Sequence, residues 1–166
     1  MGDLFKKYLS KRAKEEKIKI ALTAKSYKNV DNSISDNQTN CNLAVIGDAV
    51  IKLCYSLILY KKNNGKNITI DKQKYESDEV LVTCIAKKYK LLDYIYYDSK
   101  DEKIPNNYDY KKGKGKNDSL HKYIATVVEA IIGAIYLLEK EKINKIKKLL
   151  KSWIKLIDES DVASAN

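Results

Sequence analysis

Two stretches of this 166-residue chain constrain its fold more than any others: LAVIGDAVIKLCYSLILY at 43–60 and IATVVEAIIGAIYLL at 124–138. In the first, Ile46, Val50, Leu53 and Leu57 recur at helical spacing over a length no ordinary strand reaches, which predicts a buried helix. The second predicts another over 120–138, with Asp118 or Ser119 as its N-cap. Each carries one acid among side chains that favour burial, Asp48 in the first and Glu129 in the second. An unpartnered carboxylate in such surroundings costs several kcal/mol, so each acid requires a charged or metal partner, or a place where its helix meets a wet cleft. Gly47 beside Asp48, and Gly133 one turn after Glu129, remove bulk where a second helix or a ligand approaches. If the two helices pack together, the acids line one Mg²⁺ site, because magnesium takes oxygen ligands and keeps several waters. The competing reading caps each acid on nearby backbone or pairs it with a lysine such as Lys52.

The remaining pattern is also helical. Residues 4–28 predict one or two short helices, 28–40 a polar loop and 61–67 a turn. A helix follows over 73–90, then LLDYIYY, whose state is ambiguous. Residues 98–119 hold the only proline and many charges, with the basic run KKGKGK at 111–116. An amphipathic helix runs through Ile143, Ile146, Leu150, Trp153 and Ile157 and ends in a frayed tail at 158–166. The expectation is an all-α single domain over 1–157, without an internal repeat.

Composition narrows the partner. Thirty-two basic residues against 22 acidic ones give a net charge of +10, which favours an anionic partner, nucleic acid ahead of an acidic membrane surface. Only Arg12 is an arginine, so the grip relies on lysine point charges, better suited to phosphates than to base edges. Cys41, Cys54 and Cys84 form no CxxC pair and His121 is the sole histidine, which argues against structural zinc and a disulfide framework. Uninterrupted apolar runs fall short of a membrane span and the N-terminus lacks the apolar core of a secretory signal, giving a cytoplasmic or otherwise intracellular expectation. Tyr94, Tyr96 and Tyr97 read as packing rather than as an RNA platform, and Trp153 as core.

Four segments, in order, resemble the ribonuclease III family of double-stranded-RNA endonucleases over about residues 20–140. CNLAVIGDAV at 41–50 is similar to the family's ERLEFLGDAV helix and ATVVEAIIGAIYLL at 125–138 to its ADxxEALIGAIYLD helix. ALTAKSYKN at 21–29 looks like its ALTHRSYAN segment, and VTCIAKKYKLLDYI at 82–95 like the stretch before its basic loop. Three family acids are replaced, by Cys41, Ala44 and Thr126, leaving Asp48 and Glu129. In that pattern, and in its glycine- and lysine-rich loop, the chain is closest to the compact mini form of ribonuclease III.

The resemblance implies an all-α ribonuclease III-like endonuclease domain, extended by a C-terminal helix over 141–157 and lacking a double-stranded-RNA-binding domain. It implies Mg²⁺-dependent hydrolysis of structured or double-stranded RNA, with Mn²⁺ as a substitute ion and ribosomal RNA maturation as a setting. Asp48 and Glu129 would be catalytic and hold the metal, Thr126 would orient water, and Lys111, Lys112, Lys114 and Lys116 would reach phosphates. It also implies a homodimer with Ile46, Val50 and Leu53 serving either the dimer seam or the monomer core. The alternative is a noncatalytic RNA-binding or ribonucleoprotein component that kept the fold and lost the chemistry.

Overall fold

Helix α7 (Asp118–Leu138) is the axis of the fold in the computed structural model. The structure describes the backbone of residues 3–64, 67–98, 100 and 118–165, with side chains over the same ranges except 118–121 and 161–165. From Ile124 to Ile135 every apolar side chain of α7 is buried, and only Thr126 and Glu129 are partly exposed, the pattern expected of a helix packed round most of its circumference. Around it lie α1 (Leu4–Leu9), α2 (Glu16–Leu22), α3 (Cys41–Lys62) and a winding segment made of α5 (Asp78–Val80), a π-helical turn (Leu81–Ala86) and α6 (Lys87–Tyr89). α4 (Thr69–Glu76) packs on α3, and α8 (Ile143–Ala165) returns across α3 after a turn in which Lys140 and Glu141 both take left-handed φ, 53° and 58°. Among the described residues there is no strand, only one isolated bridge between Thr23 and Tyr96, where the Ala24 N–H donates to the Tyr96 carbonyl at 2.9 Å. The all-α expectation therefore holds.

The contact between α3 and α7 is closer than side chains permit. A Cβ on Gly47 would stand 1.8 Å from the Glu129 carbonyl oxygen, and one on Gly133 would stand 2.1 Å from that of Leu43. Each glycine thus admits the backbone of the opposite helix, as their positions beside the two acids suggested.

Elsewhere the structure departs from the sequence reading. The helix expected over 73–90 breaks at Ser77, whose backbone is extended (ψ 143°) and whose Oγ accepts from the Val80 N–H at 3.3 Å, starting a new helix. LLDYIYY forms a 3₁₀ turn at Leu91–Asp93 followed by buried Ile95. The tail expected to fray at 158–166 instead continues α8 to Ala165. Asp158 accepts from the Tyr75 hydroxyl at 2.7 Å and Lys74 Nζ at 3.1 Å, and so ties that turn to α4. The uninterrupted apolar runs are short, yet α3 as a whole is long and apolar enough to cross a bilayer, because only Asp48 and Lys52 are charged before Lys61 and Lys62 at its end; half of its most apolar window is buried in the fold. Trp153 is 1% exposed and packs edge-on to Phe5, as a core residue should. Arg12 lies 4.5 Å above the Tyr94 ring and Tyr27 sits against Tyr96, so these tyrosines are engaged in packing.

Candidate active site

Asp48 and Glu129 come from the two helices that the glycines bring into backbone contact. Gly47 precedes Asp48 and lies against the carbonyl of Glu129 itself, so the spacing between the acids is set by rigid helical backbone rather than by loops. The condition posed from the sequence, that these two helices pack together, is met.

Their environments differ. Asp48 is partly exposed and its Oδ2 accepts from Lys52 Nζ at 2.8 Å, one turn along the same helix. That is the lysine pairing weighed in the sequence reading. The pair holds the Lys52 ammonium above its ordinary range, through the Asp48 hydrogen bond first and with Glu76 and Glu129 adding attraction. Glu129 is more enclosed, and its carboxyl is raised from 4.5 to about 7, with burial the largest cause. The charges of Asp48 and Asp78 contribute to that rise, while Lys52 and Lys122 oppose it. At neutral pH Glu129 is thus divided between its protonated and ionised forms.

Asp78 and Lys122 were missed from sequence. Asp78 opens α5 directly after the Ser77 cap, an ordinary place for a first-turn acid. Nothing in YESDEV distinguishes it; only the packing of α5 on α7 brings its charge to bear on Glu129. Thr126, expected to orient water, donates its hydroxyl hydrogen to the Lys122 carbonyl at 2.7 Å, which leaves its oxygen lone pairs for accepting. Ala44, standing where the family has a glutamate, is 7% exposed and packs in the core. Lys111, Lys112, Lys114 and Lys116 lie outside the described residues, as does the side chain of His121.

Among the described residues no group of three or more His, Cys, Asp or Glu side chains is arranged to hold a metal ion. Two carboxylates nevertheless suit magnesium, which is commonly held by one or two of them together with water and substrate phosphates. The raised carboxyl of Glu129 is consistent with such a donor pair, since like charges and partial burial disfavour its ionised form until a cation offsets them.

Of the three α3 positions left open between seam and core, Val50 is buried and Ile46 packs against the core, whereas Leu53 is 50% exposed. Leu53 joins Val45, Leu57 and Tyr60 in one exposed apolar stripe along the helix.

The family model described as the ribonuclease III domain matches residues 42–140, a span that contains Asp48, Glu129 and the whole α3–α7 contact. No curated protein matches the chain.

Proposed function

Because the chain belongs to the ribonuclease III domain family, which carries a general role in RNA binding and endonucleolytic processing, we propose that it is a metal-dependent endoribonuclease acting on structured or double-stranded RNA. The observation that carries this reading is the placement of Asp48 and Glu129 on two helices locked together by Gly47 and Gly133. In acid pattern the chain is similar to the compact mini form, and ribosomal RNA maturation is the setting that likeness suggests.

Asp48 and Glu129 would hold Mg²⁺ or Mn²⁺, which when bound supplies Lewis acidity toward the phosphodiester and makes water nucleophilic near neutral pH. The chain's own part follows from its geometry. The α3–α7 contact fixes the carboxylates, Lys52 adds positive charge beside Asp48, and Glu129 exchanges a proton near neutral pH. The Thr126 oxygen is free to accept from a water. Water attacks phosphorus and the 3′ oxygen leaves, giving a 5′-phosphate and a 3′-hydroxyl. Lys111, Lys112, Lys114 and Lys116 supply phosphate contacts, and the exposed stripe of α3 supplies the seam of a homodimer.

The test is cleavage of a labelled duplex RNA at low salt, with Mg²⁺ or Mn²⁺ against EDTA. Cutting should require the metal and be lost in Asp48→Asn and Glu129→Gln. A second reading, a noncatalytic RNA or ribonucleoprotein component, is favoured by the hydrogen bond that already engages Asp48 with Lys52. Salt-sensitive binding without cutting, in folded protein, would establish it instead.

A further inference from the structure

The excess positive charge is not spread evenly along the chain. Residues 1–28 carry nine basic and three acidic side chains, and residues 139–155 carry seven basic and two acidic. Residues 29–138, which include Asp48 and Glu129, hold 16 basic and 14 acidic side chains. The two basic segments meet in the structure. A cavity of about 600 Å³ opens between α1, α6 and the beginning of α8, with Lys7, Lys88, Lys145 and Lys148 in its lining. Glu139, also in the lining, lies ten residues beyond Glu129, about 15 Å along a helical path, so this is a different place from the acid pair.

The two carboxylates of the lining are turned to internal work. Asp3 accepts from the Phe5 and Lys6 N–H groups at 3.0 and 3.2 Å and from the Tyr89 hydroxyl at 2.6 Å. Glu139, 8% exposed, accepts from the Tyr8 hydroxyl at 2.9 Å and from Lys145 Nζ. Their negative charge serves the wall, as does the Lys145 ammonium paired with Glu139, while the side chains of Lys7, Lys88 and Lys148 also line the space. Lys7 and Lys88 are held over the rings of Tyr8 and Tyr89, at 5.3 and 5.9 Å, which limits their range. The lining is not wholly polar: Leu4 and Leu149 present apolar surface, and Asn144 and Ser152 offer hydrogen-bonding groups.

We propose that this cavity is a phosphate-binding site of nucleotide size, with the phosphate on the lysines and the base or sugar against Leu4 and Leu149. Lysine point charges suit phosphate oxygens, and the volume is that of a small-ligand pocket rather than of a single inorganic anion. A free nucleotide and a nucleotide unit of an RNA strand present the same chemistry. The site is independent of the catalytic reading, and its test needs no cleavage.

Binding of ATP and of inorganic pyrophosphate is measured by calorimetry, and binding of duplex RNA by fluorescence anisotropy in EDTA. The wild type is compared with Lys7→Gln/Lys148→Gln and with Lys14→Gln/Lys155→Gln. The second pair removes the same charge from the same two segments but lies outside the lining. All four lysines are solvent-exposed, and a thermal scan confirms that each variant folds. The lining pair should weaken binding about tenfold or more and the control pair less than about twofold, as expected for loss of charge-assisted hydrogen bonds. A selective loss seen with ATP supports a free nucleotide, and one seen only with RNA supports a strand. Equal losses in both pairs, or no saturable binding of any probe, would overturn the site. Pyrophosphate binding as tightly as ATP would overturn its nucleotide character.

Discussion

Replacing Gly47 with alanine adds one methyl group at the tightest point of the molecule. Its Cβ would stand 1.8 Å from the Glu129 carbonyl oxygen, 2.5 Å from the carbonyl carbon and 3.0 Å from the Gly133 nitrogen. Non-bonded heavy atoms settle near about 3.5 Å, so α3 and α7 must separate by roughly 1.5 Å along their contact. Neither side can yield by rotating a side chain, because backbone meets backbone. Overpacking of a close-packed core costs typically about 1–3 kcal/mol, and this site belongs at or beyond the upper end. Alanine returns up to about 1 kcal/mol through its better helix propensity. The expected net loss is about 2 kcal/mol. For a domain of this size that lowers Tm by about 4–8 °C, read by circular dichroism at 222 nm in EDTA. Gly133→Ala, whose Cβ would stand 2.1 Å from the Leu43 carbonyl oxygen, should behave alike. The double variant should lose less than the sum, since one separation relieves both clashes. A Gly47→Ala protein as stable as the wild type, or strict additivity of the two changes, would refute the contact and the spacing it gives the acids.

Glu129→Gln removes a carboxyl whose folded pKa, about 7, lies above its ordinary 4.5. The carboxyl's stabilising contribution is complete below pH 4.5 and is lost as pH rises through 7, so in EDTA the glutamine variant should gain on the wild type across that window. The full shift corresponds to about 3 kcal/mol, and partial solvent screening reduces the expected gain at pH 8 to on the order of 1–2 kcal/mol. An advantage of equal size at pH 4 and pH 8 would contradict the assignment. Asp158→Ala removes the bonds from Tyr75 and Lys74. It should cost about 1 kcal/mol and speed amide exchange in the last turns of α8 while leaving α3 protected; unchanged exchange there would show that other contacts hold the helix end. Leu53→Glu places a charge in the exposed α3 stripe. It should lower the sedimentation-determined mass from dimer to monomer with little change in Tm, and an unaltered mass would remove this face from the seam.

Sequence alone determined that α3 and α7 are buried helices, because helical periodicity, an embedded acid and a glycine beside it or one turn on occur together in both segments, and each is a local property of the chain. Asp48 and Glu129 were legible for the same reason, since a carboxylate amid Val, Ile and Ala contrasts with its own neighbours. The family resemblance rested on those helices and is matched over 42–140. Local pattern gave no answer where the outcome depended on a distant partner. The tail of α8 reads as a polar end until Tyr75 and Lys74 are placed beside Asp158. Val50 and Leu53 have equal claims to burial by spacing, and only the arrangement of α7 and α8 around α3 covers one and leaves the other exposed. Asp78 is an unremarkable first-turn acid until α5 packs on α7 and its charge reaches Glu129. The lysine-lined cavity joins residues 3–7 to residues 139–152, and its charge balance depends on which carboxylates the fold has already hydrogen-bonded. Periodicity reports which side of a helix avoids water; which groups meet across space is decided by packing, because burial and charge act over distances that chain order does not encode.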